Sequence, residues 1–266
     1  MIDPAEQDLV TVEWEQFDVC FIAMHGGAGE DGRIQHFLKD RNVAFTCSGP
    51  IASQLAMSKS ATKMVLRDAG IASPDYVLLS PHWTSSQYEA RTARLGFPMV
   101  VKPDSQGSSL GVGTAHSVEE LMDCASESRR FGPVVIAEKY ISGREFTVTV
   151  RGRDSLPLLE INPGRGIFDY RSKYSGEKFQ HHFKTGLSPI MTKGLQETAL
   201  AAAVALDTTG LCRVDLILDD DDQSWVLEVN TVPGLTERSL SPRVSERVGT
   251  NMSSLCDWMV RDAVRT

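Results

Sequence analysis

No apolar run in the sequence approaches the roughly 20 residues needed to span a bilayer. The first ten residues, MIDPAEQDLV, are acidic and lack the apolar stretch of a signal peptide. Cysteine is scarce: the five are Cys20, Cys47, Cys124, Cys212 and Cys256, an odd number with no CxxC spacing. With Cys20, Cys47 and Cys212 inside apolar runs, they read as reduced, buried thiols of a cytoplasmic protein. Basic excess is also missing. Lys plus Arg is 27 against 35 for Asp plus Glu, a net charge of -8. Neither nucleic acid nor a membrane surface is therefore expected as a partner, although a nucleotide needs only a local basic pocket. Repeats and low-complexity tracts are absent. Hydrophobic residues at 41% and charged residues at 23% exclude a disordered chain. The 266 residues suffice for one to two domains with a core that needs neither disulfide nor structural metal.

Along the chain, residues 17–24 (FDVCFIAM) read as a buried strand running into His25-Gly26-Gly27. Residues 32–40 read as a helix and 42–47 as the next strand, a parallel unit. A single helix is expected over 53–69, stopping at Gly70, with a domain boundary at or slightly before 71–74. The rhythm then changes. Strands are expected at 99–102, 134–138, 145–151, 156–161, 213–218 and 225–230, and helices at 119–128 and 192–206. Strands outnumber helices and several pair as hairpins, so this part is α+β with a largely antiparallel sheet. The fold class is α/β plus α+β.

Three stretches carry chemistry. Residues 27–32 match GxGxxG after a strand, but Glu30 and Asp31 stand where a pyrophosphate would need bare N–H groups. No acid follows the next strand to hold a ribose, so a dinucleotide fold is rejected. His25 beside it is either a plain loop residue or a substrate contact. Lys102 ends a strand before the Gly/Ser loop Pro103 to Gly111. Such a loop brings N–H groups and hydroxyls to phosphate oxygens, with the lysine as a point charge, or else is a simple surface loop. Most informative are Arg213-Val214-Asp215 and Glu228-Val229-Asn230. A hairpin centred on the acidic turn 219–222 sets Asp215 opposite Glu228 and Arg213 opposite Asn230. All four then share one face, with Val214, Leu216, Leu218, Trp225, Leu227 and Val229 on the other. Two carboxylates and an amide oxygen suit Mg²⁺ carrying phosphates; the alternative is a salt-bridged surface hairpin. The turn itself reads as solvated, and His181-His182 as loop residues rather than a metal pair.

From about Phe17 onward the motifs HGGAGEDGRIQ, SKSATK, VKPDSQGSSLGV, EKYISGREFTV, FDYRSKY, CRVDL and LEVNTVPGLTERSLSP occur in that order. Together they resemble the D-alanine–D-alanine ligases of the ATP-grasp superfamily. The resemblance implies a truncated parallel N-terminal domain (1–58, substrate side) and an ATP-grasp domain (59–266). The latter divides into a central ATP subdomain at about 75–150 and a C-terminal catalytic subdomain at about 151–266. Lys59 and Lys102 match the lysines on the ATP phosphates, and Ser108 and Ser109 the loop that closes over them. Glu138 with Lys139, Tyr140 and Ile141 matches the adenine hinge, and Glu145 the ribose-binding acid. Asp215, Glu228 and Asn230 match the ligands of two Mg²⁺ ions, with Mn²⁺ as an alternative. Arg213, with a backbone N–H near Gly234, matches the oxyanion donors. His25, Ser239 and Leu240 match substrate positions, and Lys173 and Tyr174 the covering loop.

The implied activity is ATP-dependent formation of D-alanyl-D-alanine through an acyl phosphate, for peptidoglycan precursor synthesis. The implied partners are small molecules, ATP and D-alanine, and the implied assembly is a cytoplasmic homodimer. The rivals are a related ligase for another amino or hydroxy acid, and a degenerate or truncated ATP-binding protein with little turnover. The sequence departs from the family in three places. It begins after the family's first strand, glutamate-bearing turn and helix, so weak first-substrate binding beside tight ATP binding is expected. Ser58 replaces the usual aspartate before Lys59. His181-His182-Phe183 replaces the usual Pro-Ala.

Overall fold

The structure, a computed structural model, describes residues 1–162 and 180–264. Near the N-terminus, β1 (Val19–Cys20) and β2 (Ala44–Phe45) pair in parallel, with α1 (Arg33–Lys39) between them in sequence. The expected unit is present, but its ladder is only two residues long. Beyond Cys20 the next backbone donor, Ile22 N–H, turns to the Thr46 hydroxyl (3.0 Å) instead of continuing the strand. Trp14 is buried and meets the Phe37 ring of α1 edge-on at 5.8 Å. It shares a core with Ile22, Leu38, Val43, Leu211, Val232, Leu255 and Met259, so this small unit packs on the C-terminal part of the chain. Gly210 makes the contact close. Its φ is +66°, and a Cβ there would lie 2.9 Å from the Cys47 backbone.

The expected single helix at 53–69 is two: α2 (Pro50–Met57) and α3 (Lys59–Asp68). Ser58 between them is extended, and its hydroxyl accepts the Ala61 N–H as the N-cap of α3. A carboxylate from far along the chain, Asp104, takes the Ser60 N–H (2.7 Å) and the Ser58 hydroxyl proton (2.7 Å). Its carbonyl takes the Lys59 N–H. The break is therefore made by a tertiary partner.

Next come β3 (Tyr76–Leu79), α4 (Ser85–Thr92), β4 (Met99–Pro103), β5 (Gly113–Ala115), α5 (Val118–Ser128) and β6 (Val135–Lys139). The four strands form an antiparallel sheet in the order β3-β6-β4-β5. Thr84 and Gln87 close a capping box on α4. Ser117 caps α5, with Glu119 and Glu120 facing its positive end. Both helices cover one face, burying Tyr88, Leu121 and Ala125 against Met99, Val101, Val135 and Ala137. Period-two alternation sends Lys102 and Glu138 to the other face.

The remainder comprises β7 (Gly143–Arg151), β8 (Asp154–Ser155), β9 (Leu159–Asn162), β10 (Gln180–His182), α6 (Pro189–Ala205), β11 (Leu211–Asp219), β12 (Ser224–Asn230), α7 (Leu240–Arg247) and α8 (Met252–Ala263). The sheet runs β10-β9-β7-β11-β12 and is antiparallel, with β8 on the end of β7. His181 and His182, expected in a loop, belong to β10, whose backbone pairs with β9. Phe146, Val148, Val150, Val214, Leu216 and Leu218 bury one face against Leu195, Ala199, Ala202 and Ala203 of α6 and Leu66 of α3. Each fully buried Val or Leu stabilises the sheet by about 1.5–3 kcal/mol. The alanines let α6 approach the sheet closely.

The β11–β12 register is as expected at its open end and shifted beyond it. Arg213 faces Asn230 and Asp215 faces Glu228, but a bulge follows and Leu216 then pairs with Val226. Leu227 is the extra residue. Val226 accordingly enters the core, while Trp225 and Leu227, expected there, stay half-buried outside it. Trp225 is held by its indole N–H donating to Asp219 Oδ2 (2.7 Å). All five cysteines are free. Cys47 and Cys212 are buried, and desolvation pushes their thiols up to about 12 and about 11. Cys20, expected to be buried with them, is partly exposed. No helix among the described residues is long and apolar enough to cross a membrane.

Candidate active site

The polar face of the β7–β11–β12 sheet carries Thr147, Arg213, Asp215, Glu228 and Asn230. Asp215 is the hub. Its Oδ1 accepts from Thr147 Oγ1 (2.6 Å) and Arg213 Nε (2.9 Å), and its Oδ2 from an Arg213 terminal nitrogen (2.8 Å) and the Asn230 amide (3.2 Å). The Arg213 fork on Asp215 is thus bidentate. Burial works against the arginine's charge, but Asp215, with Glu228 and Glu30 nearby, outweighs it and holds the pKa above its ordinary value. Lys59, the first residue of α3, reaches over this face. Its ammonium donates to the Gln106 carbonyl (2.7 Å) and lies 3.7 Å from Glu228 Oε2.

Two carboxylates and an amide group on adjacent rungs are hard-oxygen donors of the kind a divalent cation takes. Both carboxylates draw cationic side chains, which shows the local field. Among the described residues no group of three His, Cys, Asp or Glu gathers; the third polar side chain on this face is the Asn230 amide, whose nitrogen donates to Asp215. The oxygen donors present fit a divalent cation.

A second polar group lies on the inner face of the central sheet. Glu138 of β6 sits between two lysines, with Oε2 2.8 Å from Lys102 of β4 and Oε1 3.0 Å from Lys63 of α3. Burial would raise the Glu138 carboxyl, but Lys102 and Lys63 overcome it and hold it ionised. Past Glu138, Lys139, Tyr140 and Ile141 lead into β7, where Glu145 is half-buried; Lys139 and Tyr140 are exposed and Ile141 is buried. Gly143 lets this crossing lie against the end of β11, because a Cβ there would collide with the Leu218 carbonyl.

Between β4 and β5 the loop carries Ser108 and Ser109, both left-handed at φ 54° and 55°. Such a backbone costs roughly 1–2 kcal/mol per residue for non-glycine residues, strain of the kind that gathers at ligand sites. The loop is anchored on both sides: Gln106 donates to the Phe131 carbonyl (3.0 Å), and Ser128 donates to the Gly111 carbonyl.

The substrate-side residues are more scattered. His25 is exposed in its loop. Ser239 caps the turn before α7, bonding Thr236 N–H (3.1 Å) and its hydroxyl (2.9 Å). Gly234 lies against it, since a Cβ would meet Ser239 Oγ at 2.8 Å. Leu240 packs on Leu156, Leu159 and Val244. Lys173 and Tyr174 lie outside the described residues.

Four site-forming residues escape sequence reasoning: Thr147, Lys63, Asp104 and Glu30. Thr147 is visible only as an alternate member of β7, and Lys63 only within SKSATK. Glu30 lies in the rejected GxGxxG stretch, where the sequence gives it no role. Its oxygens accept the N–H groups of Gly26 (2.9 Å) and Val232 (3.3 Å), joining the His25 loop to the end of β12. Burial raises its pKa.

Comparison with known proteins bears on this arrangement. The family model described as the D-ala D-ala ligase C-terminus matches residues 65–261. A D-alanine–D-alanine ligase of Nitrosomonas europaea is 39% identical over 253 residues, covering 95% of this chain and 82% of that one. The D-alanine–D-alanine ligase of Bacillus anthracis superposes with a TM-score of 0.84 at 31% identity, covering 94% and 81% of the two chains. Its complex with ATP gives 0.82 at 29% identity, covering 94% and 80%.

Proposed function

The chain belongs to the D-alanine–D-alanine ligase family, and on that premise we propose how its residues divide the work. The reaction is the ATP-dependent joining of two D-alanine molecules for peptidoglycan synthesis. The central part, about 75–150, and the C-terminal part, about 151–266, grasp ATP between them, and residues 1–58 line the substrate side. Lys59, Lys102 and Ser109 hold the phosphates. The Lys139, Tyr140 and Ile141 segment beside Glu138 takes the adenine, and Glu145 the ribose. Asp215, Glu228 and Asn230 would hold two Mg²⁺ ions, with Mn²⁺ as a substitute, and the ions would supply neutralisation of the phosphate charge.

The first D-alanine's carboxylate attacks the γ-phosphorus, giving an acyl phosphate and ADP. The second D-alanine's amine then attacks that carbonyl, and collapse of the tetrahedral adduct expels phosphate. Arg213 and a backbone N–H near Gly234 stabilise the oxyanion. Ser108, His25, Ser239 and Leu240 orient the two substrates, and the segment carrying Lys173 and Tyr174 excludes water from the acyl phosphate. The setting is a cytoplasmic homodimer.

One observation supports this reading above the rest: Arg213, Asp215, Glu228 and Asn230 share one sheet face beneath the Lys59 ammonium. Asp215→Asn and Glu228→Gln each remove one negative charge there. Both are expected to abolish Mg²⁺-dependent ATP turnover in a folded protein, with Asp215→Asn also lowering the melting temperature because it weakens the buried Arg213 fork. Turnover retained in both variants, at unchanged Mg²⁺ demand, refutes the site.

A further inference from the structure

We infer that Lys63 is a positioning residue for ATP, neutralising Glu138 so that Lys102 is released to the phosphates. This rests on the reading above that Lys102 contacts ATP. The two lysines share one carboxylate but stand differently. The Lys63 side chain is 1% exposed, against 11% for Lys102. Lys63 is also fixed by donating to the Pro74 carbonyl (2.9 Å), and its ammonium lies 6.0 Å from the centre of the Tyr76 ring. It lies too deep to follow a ligand. Lys102 is bound by Glu138 alone among the described contacts of its ammonium, at the edge of the group.

Two cations on one anion leave a net single positive charge for an incoming phosphate. Without Lys63 the group is neutral, and Glu138 competes with ATP for the same Lys102 ammonium. A phosphate must then draw Lys102 away from a buried carboxylate that has no other cation. The loss expected is that of a charge-assisted hydrogen bond, roughly 10- to 100-fold in kcat/KM for ATP.

The charged and titratable groups facing Lys63 are Glu138 from β6, Lys102 from β4, Lys59 from its own helix and Tyr76 from β3. Burial, together with the two neighbouring lysines and against the pull of Glu138, brings the Lys63 ammonium down to about 8. Tyr76 is pushed up by burial and stays neutral over the same range. As Lys63 loses its proton above about pH 8, the group loses its net charge and kcat/KM for ATP declines.

The test is kcat and KM for ATP from pH 6.5 to 9.5 in the full chain and four variants. Lys63→Met is expected to lower kcat/KM roughly 10- to 100-fold at pH 7, mainly through KM, and to remove the decline above pH 8. Lys63→Arg keeps the charge and also removes the decline, with a KM near that of wild type at pH 7. Adding Glu138→Gln to Lys63→Met removes the competing anion and is expected to recover part of the ATP affinity, which a merely structural lysine would not predict. If Lys63→Met folds poorly, Lys63→Arg carries the test through its pH profile, because it keeps the cation beside Glu138; a decline above pH 8 that persists in Lys63→Arg overturns the role of Lys63. Lys102→Met separates the two claims. Should Lys102→Met leave KM unchanged, the reading of Lys102 fails. Should it raise KM while Lys63→Met does not, or should the double variant bind no better than Lys63→Met, the role of Lys63 is overturned.

Discussion

Asp104→Ala offers the sharpest test of how the phosphate side is built. The Asp104 carboxylate is 4% exposed and takes three hydrogen bonds: from Ser58 Oγ (2.7 Å), Ser60 N–H (2.7 Å) and Ser105 Oγ (3.2 Å). Two of these fasten the N-terminus of α3, whose first residue is Lys59. The capping contribution is about 1 kcal/mol, and a hydrogen bond to a charged group contributes about 1.5–3 kcal/mol. Alanine leaves the partly buried Ser58 hydroxyl and Ser60 N–H without this acceptor. The sum is not additive, and a loss of about 2–4 kcal/mol is expected. At about 2–4 °C per kcal/mol for a chain of this size, the melting temperature falls by roughly 5–15 °C. Because Lys59 bridges the Gln106 carbonyl and Glu228, a loosened helix end also misplaces its ammonium, and KM for ATP rises. Asp104→Asn keeps an acceptor oxygen and should lose about half as much. Thermal and urea melts of all three proteins in one buffer decide it. A melting temperature within 1 °C of wild type for the alanine variant, on the scale expected from that helix-cap loss, would refute the clamp.

Arg213→Lys keeps the charge but loses the bidentate fork on Asp215. It is expected to lower kcat by roughly 10²- to 10³-fold with little change in KM for ATP, and an unchanged kcat would remove Arg213 from the oxyanion role. Glu30→Gln tests the buried acid. Burial first, with Glu228 adding to it, holds this carboxyl above its ordinary 4.5 against the N–H groups of Gly26 and Val232 and the charge of Arg213. A raised acid binds its proton more tightly when folded, so its stabilising contribution is present at low pH and is lost as pH rises from 4.5 through the folded pKa. Urea midpoints should show the wild type losing ground to Glu30→Gln across that window, and a pH-independent difference would contradict the shift.

The hairpin that carries Asp215 and Glu228 was legible in the sequence because period-two alternation fixes both the face and the pairing. The bulge at Leu227 was not, since a one-residue slip depends on what packs behind the strand, and there Val226 displaces Trp225 and Leu227 from the core. The split at Ser58 was hidden for a related reason. Met57, Ser58 and Lys59 tolerate a continuous helix locally, and the partner that stops it, Asp104, is 46 residues away. Glu30 shows the same limit, with its Val232 contact 202 residues distant. A partner at such a range leaves no mark on the sequence around Glu30. The parallel unit was legible in order and direction, while its short ladder followed from Thr46 replacing a backbone partner.

The central claim is that this face joins two D-alanines using ATP. The most direct measurement incubates the chain with ATP, Mg²⁺ and D-alanine, follows ADP release, and analyses the product by mass. ADP release is expected to require D-alanine and to match, mole for mole, the D-alanyl-D-alanine formed. ADP release that is indifferent to D-alanine, or ADP without dipeptide, would contradict the account.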